Sequence, residues 1–422
     1  MESFMRTLFR GALVYENGMM TKQDVVFDGV SLSAFDGDIA SFSPSAVFDN
    51  IAILPGFCDV HVHFREPGFS YKETMESGSS AAAHGGYTAV LTMPNLLPSP
   101  DSREGLDVQL AAIRRGAEIA VFPYGTITKG SHGLDLSDME EIAPDVAAFS
   151  DDGRGVQDRE MMRRAMLKAK SLGKMIVAHC EDNSLLRGGY IHDGEYARAH
   201  GHKGICSESE WGPIARDVEL LRETGAAYHV CHVSTKESVE IIRRAKAEGI
   251  DITCETAPHY LTLDDSCLME DGRFKMNPPL RSREDREALI QGIIDGTVDM
   301  IATDHAPHSF DEKSRGLEGS MMGVVGIETA FPVIYTELVR RGVITLPDAV
   351  ALLSDKPRAR FGITSDVGFT VFDLGCEYEI DPERFLSKGR STPYKGARVY
   401  GKCLATVYSG KAVYLDEDLI KI

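Results

Sequence analysis

The chain has 422 residues, 43% hydrophobic and 26% charged, an ordinary globular composition long enough for one large domain and a smaller one. Its 64 acidic and 45 basic residues give a formal charge of −19, which argues against nucleic acid or an anionic membrane as a partner. No stretch approaches the ~20 apolar residues of a membrane span. The opening MESFMRTLFRGALVYENG lacks a signal peptide's apolar core, so a cytoplasmic location is expected.

Residues 1–54 read as short strands broken by tight turns at YENG, FDG and FDGD. The stretch from 365 to 422 has the same texture, with GFTVFDLG, ARVYGKCLATVY and an SGKAVY hairpin signal. Neither end can bury a core alone, so a small β-sandwich built from both termini is expected, flanking a domain of residues 55–364.

In that domain apolar β-like runs alternate with helical stretches. The strands are expected at the 51–63 run, Tyr87–Pro94, Ile119–Thr128, Val146–Asp152, Met175–His179, Ala227–Val233, Ile252–Thr256 and Asp299–Asp304. Helix signals lie between them: a capping box at STKE (234–237), Ser282 before REDREALIQGII, and an apolar face on DREMMRRAMLKAKSLG. Eight alternations fit a (β/α)8 barrel; an open doubly wound sheet is second, and no GxGxxG loop supports it.

The segment IAILPGFCDVHVHFRE (51–66) ends an apolar run in His61 and His63, which share a face if the strand continues. Asp59 has the same parity and is positioned to support them. A barrel gathers its chemistry at the C-terminal strand ends. Those ends also carry Asp151-Asp152, His179, His232 and Asp304, with His305 and His308 close behind. Singly each reads as a satisfied polar cap or a turn; converging on one mouth, they read as a metal site. Four histidines and two aspartates exceed the ligand set of one zinc and suit two divalent ions, with zinc favoured and manganese or cobalt as alternatives. The eight cysteines form no C-x-x-C pair and are expected as free thiols, with Cys180 and Cys231 pointing away from the histidines into the core.

These motifs together resemble class I dihydroorotases of the amidohydrolase superfamily. The resemblance is carried by GFCDVHVHFREPG (56–68), TMPN (92–95), FSDDG (149–153), AHCED (178–182) and CHVST (231–235), and downstream by ETAPHYL (255–261), FKMNPPLR (274–281), ATDHAPH (302–308) and GVVGIETAF (323–331). It implies reversible cyclisation of N-carbamoyl-L-aspartate to L-dihydroorotate in pyrimidine biosynthesis, with a metal-activated hydroxide and Asp304 as general acid and base. His61, His63 and Asp304 would hold one ion and His179 and His232 the other, bridged by Asp152 rather than Asp151. Many relatives bridge with a carboxylated lysine; Lys129 reads instead as a surface or mouth lysine. The substrate would meet His63, Arg65, Asn95, Asn277, His308 and the backbone at Met322-Gly323, with Arg65 free of Glu66 and Glu73. The polar stretch 309–322 is expected as a loop, either a mobile cover on the mouth or plain surface. A homodimer and association with an aspartate transcarbamoylase are further expectations. The rival readings are another cyclic amidohydrolase (allantoinase or dihydropyrimidinase) and a catalytically silent transcarbamoylase scaffold.

Overall fold

Turn chemistry sets the small sheet. Asn17-Gly18 and Ser409-Gly410 all take positive φ, the twist a two-residue hairpin needs. They join Thr7–Glu16 to Met19–Phe27 and Arg398–Tyr408 to Lys411–Leu415 in antiparallel pairs. Phe369–Glu379 then pairs antiparallel with Ile51–Pro55, which ties the two ends of the chain together. The result is one continuous eight-stranded mixed sheet. Phe27 and Phe369 have ring centroids 6.3 Å apart although two strands separate theirs. A flat sheet would hold those strands about 14 Å apart, so the sheet curls over its core of Phe9, Phe27, Ile53, Val371 and Leu404. The computed structural model describes residues 6–37 and 46–420. Residues 1–5, 38–45 and 421–422 lie outside the described residues, and with them Asp38 of the FDGD turn and the outer limits of the expected terminal domain.

The apolar run expected as one opening strand divides at Gly56. Ile51–Pro55 joins the small sheet and Phe57–Val62 begins the barrel. A Cβ at Gly56 would stand 2.1 Å from Thr88 Oγ1, so only glycine lets the chain pass between the two sheets.

From Phe57 onward the pairing is parallel and closes into a ring. Phe57–Val62 pairs with Tyr87–Thr92, which pairs with Ala120–Pro123. Bridges from Gly125 to Phe149 and from Phe149 to Ile176 carry the ring across the fourth position. Ile176–Ala178, Tyr228–Val230, Ile252–Thr256 and Met300–Ile301 follow, and a Val62–His305 bridge returns to the start. The fourth strand, expected over Val146–Asp152, shrinks to a single bridging residue. Just beyond it Asp151 accepts from the N–H groups of Ile127 and Thr128, which draws the chain out of the ladder. Side chains from around the ring, Cys58, Val60, Leu91, Tyr124, Val177, Cys231 and Met300 among them, fill the interior.

Helices pack outside. Asp158 caps Arg159–Ser171, whose Met161, Met162, Ala165, Met166 and Ala169 are buried as one face. Ser282 and Asp285 form a capping box on Arg283–Asp295. The capping box expected at Ser234 does not form; the cap falls one residue later, where the Thr235 side chain accepts from the Ser238 N–H at the start of Lys236–Ala247. Ser234 is diverted by buried Glu210, which also accepts from both the N–H and hydroxyl of Thr235. No helix among the described residues is long and apolar enough to cross a membrane.

Candidate metal centre and active-site pocket

A bulge aims the first two histidines. Register slips between Asp59 and Val62 opposite Val90–Thr92, so the strand end turns as it leaves the ladder. Asp59 does not touch either imidazole. Its carboxylate accepts from the backbone N–H of His61 at 3.0 Å and from the N–H and hydroxyl of Thr303, clamping the first strand to the eighth. That clamp fixes the two chain segments that bear His61 and Asp304.

Six residues expected at the strand ends meet at one point, all buried. His61 Nε2 lies 3.4 Å from Asp152 Oδ1 and 3.5 Å from Asp304 Oδ1. His63 Nε2 lies 3.1 Å from Asp304 Oδ1 and 3.5 Å from Asp152 Oδ2. His179 Nδ1 and His232 Nε2 stand 2.9 Å apart, each 3.5 Å from Asp152 Oδ1. Ligand atoms around a tetrahedral zinc sit about 3.3 Å from one another, given bonds of about 2.0 Å, and these spacings match. Two members carry the fit test. His61 Nε2 and Asp152 Oδ1 are buried without any hydrogen-bond partner, a costly state that a cation between them would relieve. The residues present fit divalent metal.

Asp152 faces histidines with both oxygens, while Asp151 turns away to Ile127 and Thr128. Burial opposes charge on Asp152 and Asp304, yet the facing histidines hold both carboxyls below the usual range. Lys129 is exposed and sits 3.1 Å from Asp138, well away from this cluster.

A buried network holds the cluster from below, and the sequence reading missed it. His61 Nδ1 lies 2.6 Å from Glu255 Oε1; a carboxylate only accepts, so the proton is on Nδ1 and Nε2 is left as a lone pair. The other oxygen of Glu255 takes His229 Nε2 at 3.0 Å, and His229 Nδ1 meets the Thr253 hydroxyl at 2.9 Å. Burial would raise Glu255, but His61 and His229 bring it down to about 2. Glu255 was visible inside ETAPHYL as a charge within an apolar strand, a pattern that demands a buried partner. Cys231 packs in the core as expected but does not point away from the histidines: its sulfur lies within 4.8 Å of the ligand atoms of His61 and Glu255. All eight cysteines are free. Glu181, also overlooked, joins His179 Nε2 at 3.5 Å to the Asn277 amide at 2.9 Å.

Above the cluster opens a cavity of about 430 Å³ whose wall includes Arg65, Lys72, Asn95, Asn277, His308, Met322 and Gly323. Arg65 does not continue the strand. It takes φ +54 and turns its guanidinium to the Pro307 carbonyl at 3.2 Å and to His308 at 3.4 Å. Glu66 pairs instead with Arg115, and Glu73 with Ser387 and His305, so Arg65 has no carboxylate partner among the described residues. Asn95 accepts from His63 Nδ1 at 2.9 Å and donates to Asp152 Oδ2 at 3.3 Å, which makes it a support of two ligands as well as a wall residue. Asn277 Oδ1 is buried and unpaired. The Met322 carbonyl accepts from His308 and the Gly323 N–H donates to the Lys275 carbonyl, so these backbone groups already have protein partners. A Cβ at Gly323 would press within 2.7 Å of the Ala306 carbonyl, and its φ of +132 likewise requires glycine.

The polar stretch 309–322 is folded into two short helices, Phe310–Lys313 and Gly316–Gly319. Lys313 is buried and donates to the carbonyls of Lys275 and Met321, while Lys72 pairs with Glu312 at 2.9 Å. It packs at the mouth, held from both sides.

A family model described as "Dihydro-orotase-like" matches residues 51–238. A protein named dihydroorotase from Fusobacterium nucleatum is 47% identical over 98% of this chain and 100% of its own length. One of the same name from Shouchella clausii is 48% identical over 97% of this chain and 98% of its own. Among solved structures, an L-hydantoinase (dihydropyrimidinase) from Arthrobacter aurescens has a TM-score of 0.82 at 22% identity, covering 97% of this chain and 96% of its own. A dihydropyrimidinase from Brevibacillus agri has a TM-score of 0.80, also at 22% identity, over 98% and 96%. These two share the fold, the barrel with its curled sheet. Nearly half of the residues, matched from end to end, decide the family: the chain belongs to the dihydroorotases.

Proposed function

We propose that the chain catalyses the reversible interconversion of N-carbamoyl-L-aspartate and L-dihydroorotate in pyrimidine biosynthesis, as a class I enzyme. The observation that carries this reading is the joining, in one cavity, of a metal-type floor with an arginine that has no carboxylate of its own. Allantoin and dihydrouracil present no carboxylate to such a cation; dihydroorotate does.

In this reading His61, His63 and Asp304 would hold one divalent ion and His179 and His232 a second, with Asp152 serving both sets, and zinc would be the natural choice for nitrogen and carboxylate donors. Such ions supply acidified water near neutral pH and polarisation of a carbonyl. Asp304 does the proton work. It receives a proton from the attacking water at a carboxylate oxygen and delivers it to the departing ring nitrogen; in ring closure it removes the ureido proton. Arg65 orients the substrate by its carboxylate, and the unpaired Asn277 Oδ1 accepts from a ring N–H. Asn95 keeps His63 and Asp152 in place while the ring opens and closes.

We further assign residues 55–364 to the catalytic barrel, and 1–54 with 365–422 to a small sandwich-like domain formed by the curled sheet. A cytoplasmic homodimer, with or without an associated aspartate transcarbamoylase, completes the reading. The test is a spectrophotometric assay of purified protein on dihydroorotate, dihydrouracil and allantoin, with and without added zinc, alongside metal analysis. Zinc-dependent turnover of dihydroorotate above the other two is expected. Preference for an uncharged ring would overturn the substrate; an inactive, metal-free chain would favour a scaffold.

A further inference from the structure

One buried cation in the pocket wall has no role in the chemistry above. Lys72 is 8% exposed, lies over the rings of Phe69 and Tyr71, and places its ammonium 3.1 Å from His308 Nδ1 and 2.9 Å from Glu312. An ammonium donates and never accepts. His308 Nδ1 must therefore be the bare nitrogen, and the imidazole proton sits on Nε2. The opposite side of the ring agrees: Nε2 lies 2.8 Å from the Met322 carbonyl, which can only accept. These two shorter contacts select the same tautomer, and Arg65 Nη2, 3.4 Å from Nε2, then stands beside that N–H as a second donor and not as its hydrogen-bond partner.

We infer that Lys72 is a positioning residue, which fixes His308 as a neutral Nε2–H donor in the carboxylate-binding wall and thereby sets the affinity for substrate. This rests on the dihydroorotase reading. The charges around His308 support it from every side: Arg65 at 3.4 Å, Lys72, and Lys313 from the 309–322 segment, against the single carboxylate of Glu312 at 3.6 Å. Burial first, and then Arg65, Lys72 and Lys313, push His308 down to about 3, so it stays uncharged throughout the working range. With its N–H held by the Met322 carbonyl, the uncharged ring lines the wall beside Arg65 without competing with the arginine for the substrate anion. Without Lys72 the Nε2 proton stays where it is, but the bare Nδ1 faces the Glu312 carboxylate at 3.6 Å with no cation between them and can take up a second proton.

The test uses metal-loaded, full-length protein with 15N-labelled imidazoles, His308 being assigned by its loss in His308→Gln. The parent should show the neutral Nε2–H form down to pH 5. Lys72→Met should raise the His308 protonation midpoint above the parent's by at least about one pH unit, still short of the ordinary value of about 6.5 because burial and Arg65 remain. Its KM for dihydroorotate at pH 8 should rise about 5- to 20-fold with kcat within about twofold, as expected for loss of binding rather than of chemistry. Lys72→Arg, which keeps a cationic donor, should restore the parent's neutral ring. A parent His308 that carries its proton on Nδ1, or a Lys72→Met protein with the parent's protonation midpoint and KM, overturns the assignment. If the parent itself ignores dihydroorotate, the functional reading falls, while the imidazole spectra still decide the role of Lys72.

Discussion

Glutamine in place of Glu255 keeps the shape of the side chain and removes half of its accepting capacity. Glu255 lies fully buried with one oxygen 2.6 Å from His61 Nδ1 and the other 3.0 Å from His229 Nε2. The amide can accept from only one of these histidines and must turn its NH2 toward the other. His229 can adapt, because its second nitrogen faces a threonine hydroxyl that serves equally as donor or acceptor. Glu255→Gln should therefore weaken zinc binding by only about tenfold, the lower end of the range for removing a ligand histidine's carboxylate partner. Glu255→Leu leaves the His61 N–H with no acceptor and should approach about a hundredfold, which is about 2.8 kcal/mol at 1.4 kcal/mol per decade. Both variants would be titrated against a chelator of known zinc affinity, with melting temperature followed in saturating zinc. A folded Glu255→Leu protein that retains the parent's zinc affinity refutes the reasoning. A large melting deficit that saturating zinc does not diminish would show that Glu255 holds the barrel and not the ligand.

Other expectations follow from the same geometry. Asp304→Asn retains a ligating oxygen but no base, and should lower turnover at least ~10²-fold with zinc content maintained; near-normal kcat would remove Asp304 from the proton path. Arg65→Met should lower kcat/KM for dihydroorotate by ~10-fold to several hundredfold and narrow the discrimination against dihydrouracil, without loss of zinc. His192, largely buried and beside Arg281, is depressed to about 4, against about 6.5 in the unfolded chain. Between those values the unfolded chain binds the extra proton, so stability rises with pH and falls on acidification, by up to about 1.4 kcal/mol per unit. His192→Gln lacks that dependence. Its melting temperature should decline less than the parent's from pH 6.5 to 4.5, and an equal decline would show that His192 titrates normally.

The barrel was legible because strand ends carried metal-type residues at a regular β/α spacing, and the hairpins because Asn17-Gly18 and Ser409-Gly410 are strong local turn signals. Asp152 was separable from Asp151 by resemblance, and the geometry shows a physical basis: one aspartate serves the backbone of the loop after the third strand, the other the histidines. What escaped the sequence were the long-range pairings. Asp59 and Thr303 are 244 positions apart, Glu255 and His61 194 apart, and Lys72 and His308 236 apart. No periodicity couples residues over such spans, because ring closure and loop packing make those contacts. The parity argument for Asp59 failed for a local reason: a bulge interrupts the alternation on which parity depends.

Such interruptions bear on how the site works. Arg65, His232 and Asp304 all hold positive φ, at +54, +35 and +47, a region that costs a residue with a side chain about 1–3 kcal/mol. Each is restrained beside its strained position. Arg65 donates to the Pro307 carbonyl, the His232 N–H reaches Glu255 at 3.4 Å, and Thr303, next to Asp304, is bound twice by Asp59. An extended strand end would present only alternate side chains to the mouth, each pointing along the barrel wall. Left-handed turns at three separate ends break that alternation and bring side chains inward over one small volume. Strain here is thus a geometric requirement of convergence, and the buried carboxylates of Asp59 and Glu255 are what oppose its relaxation.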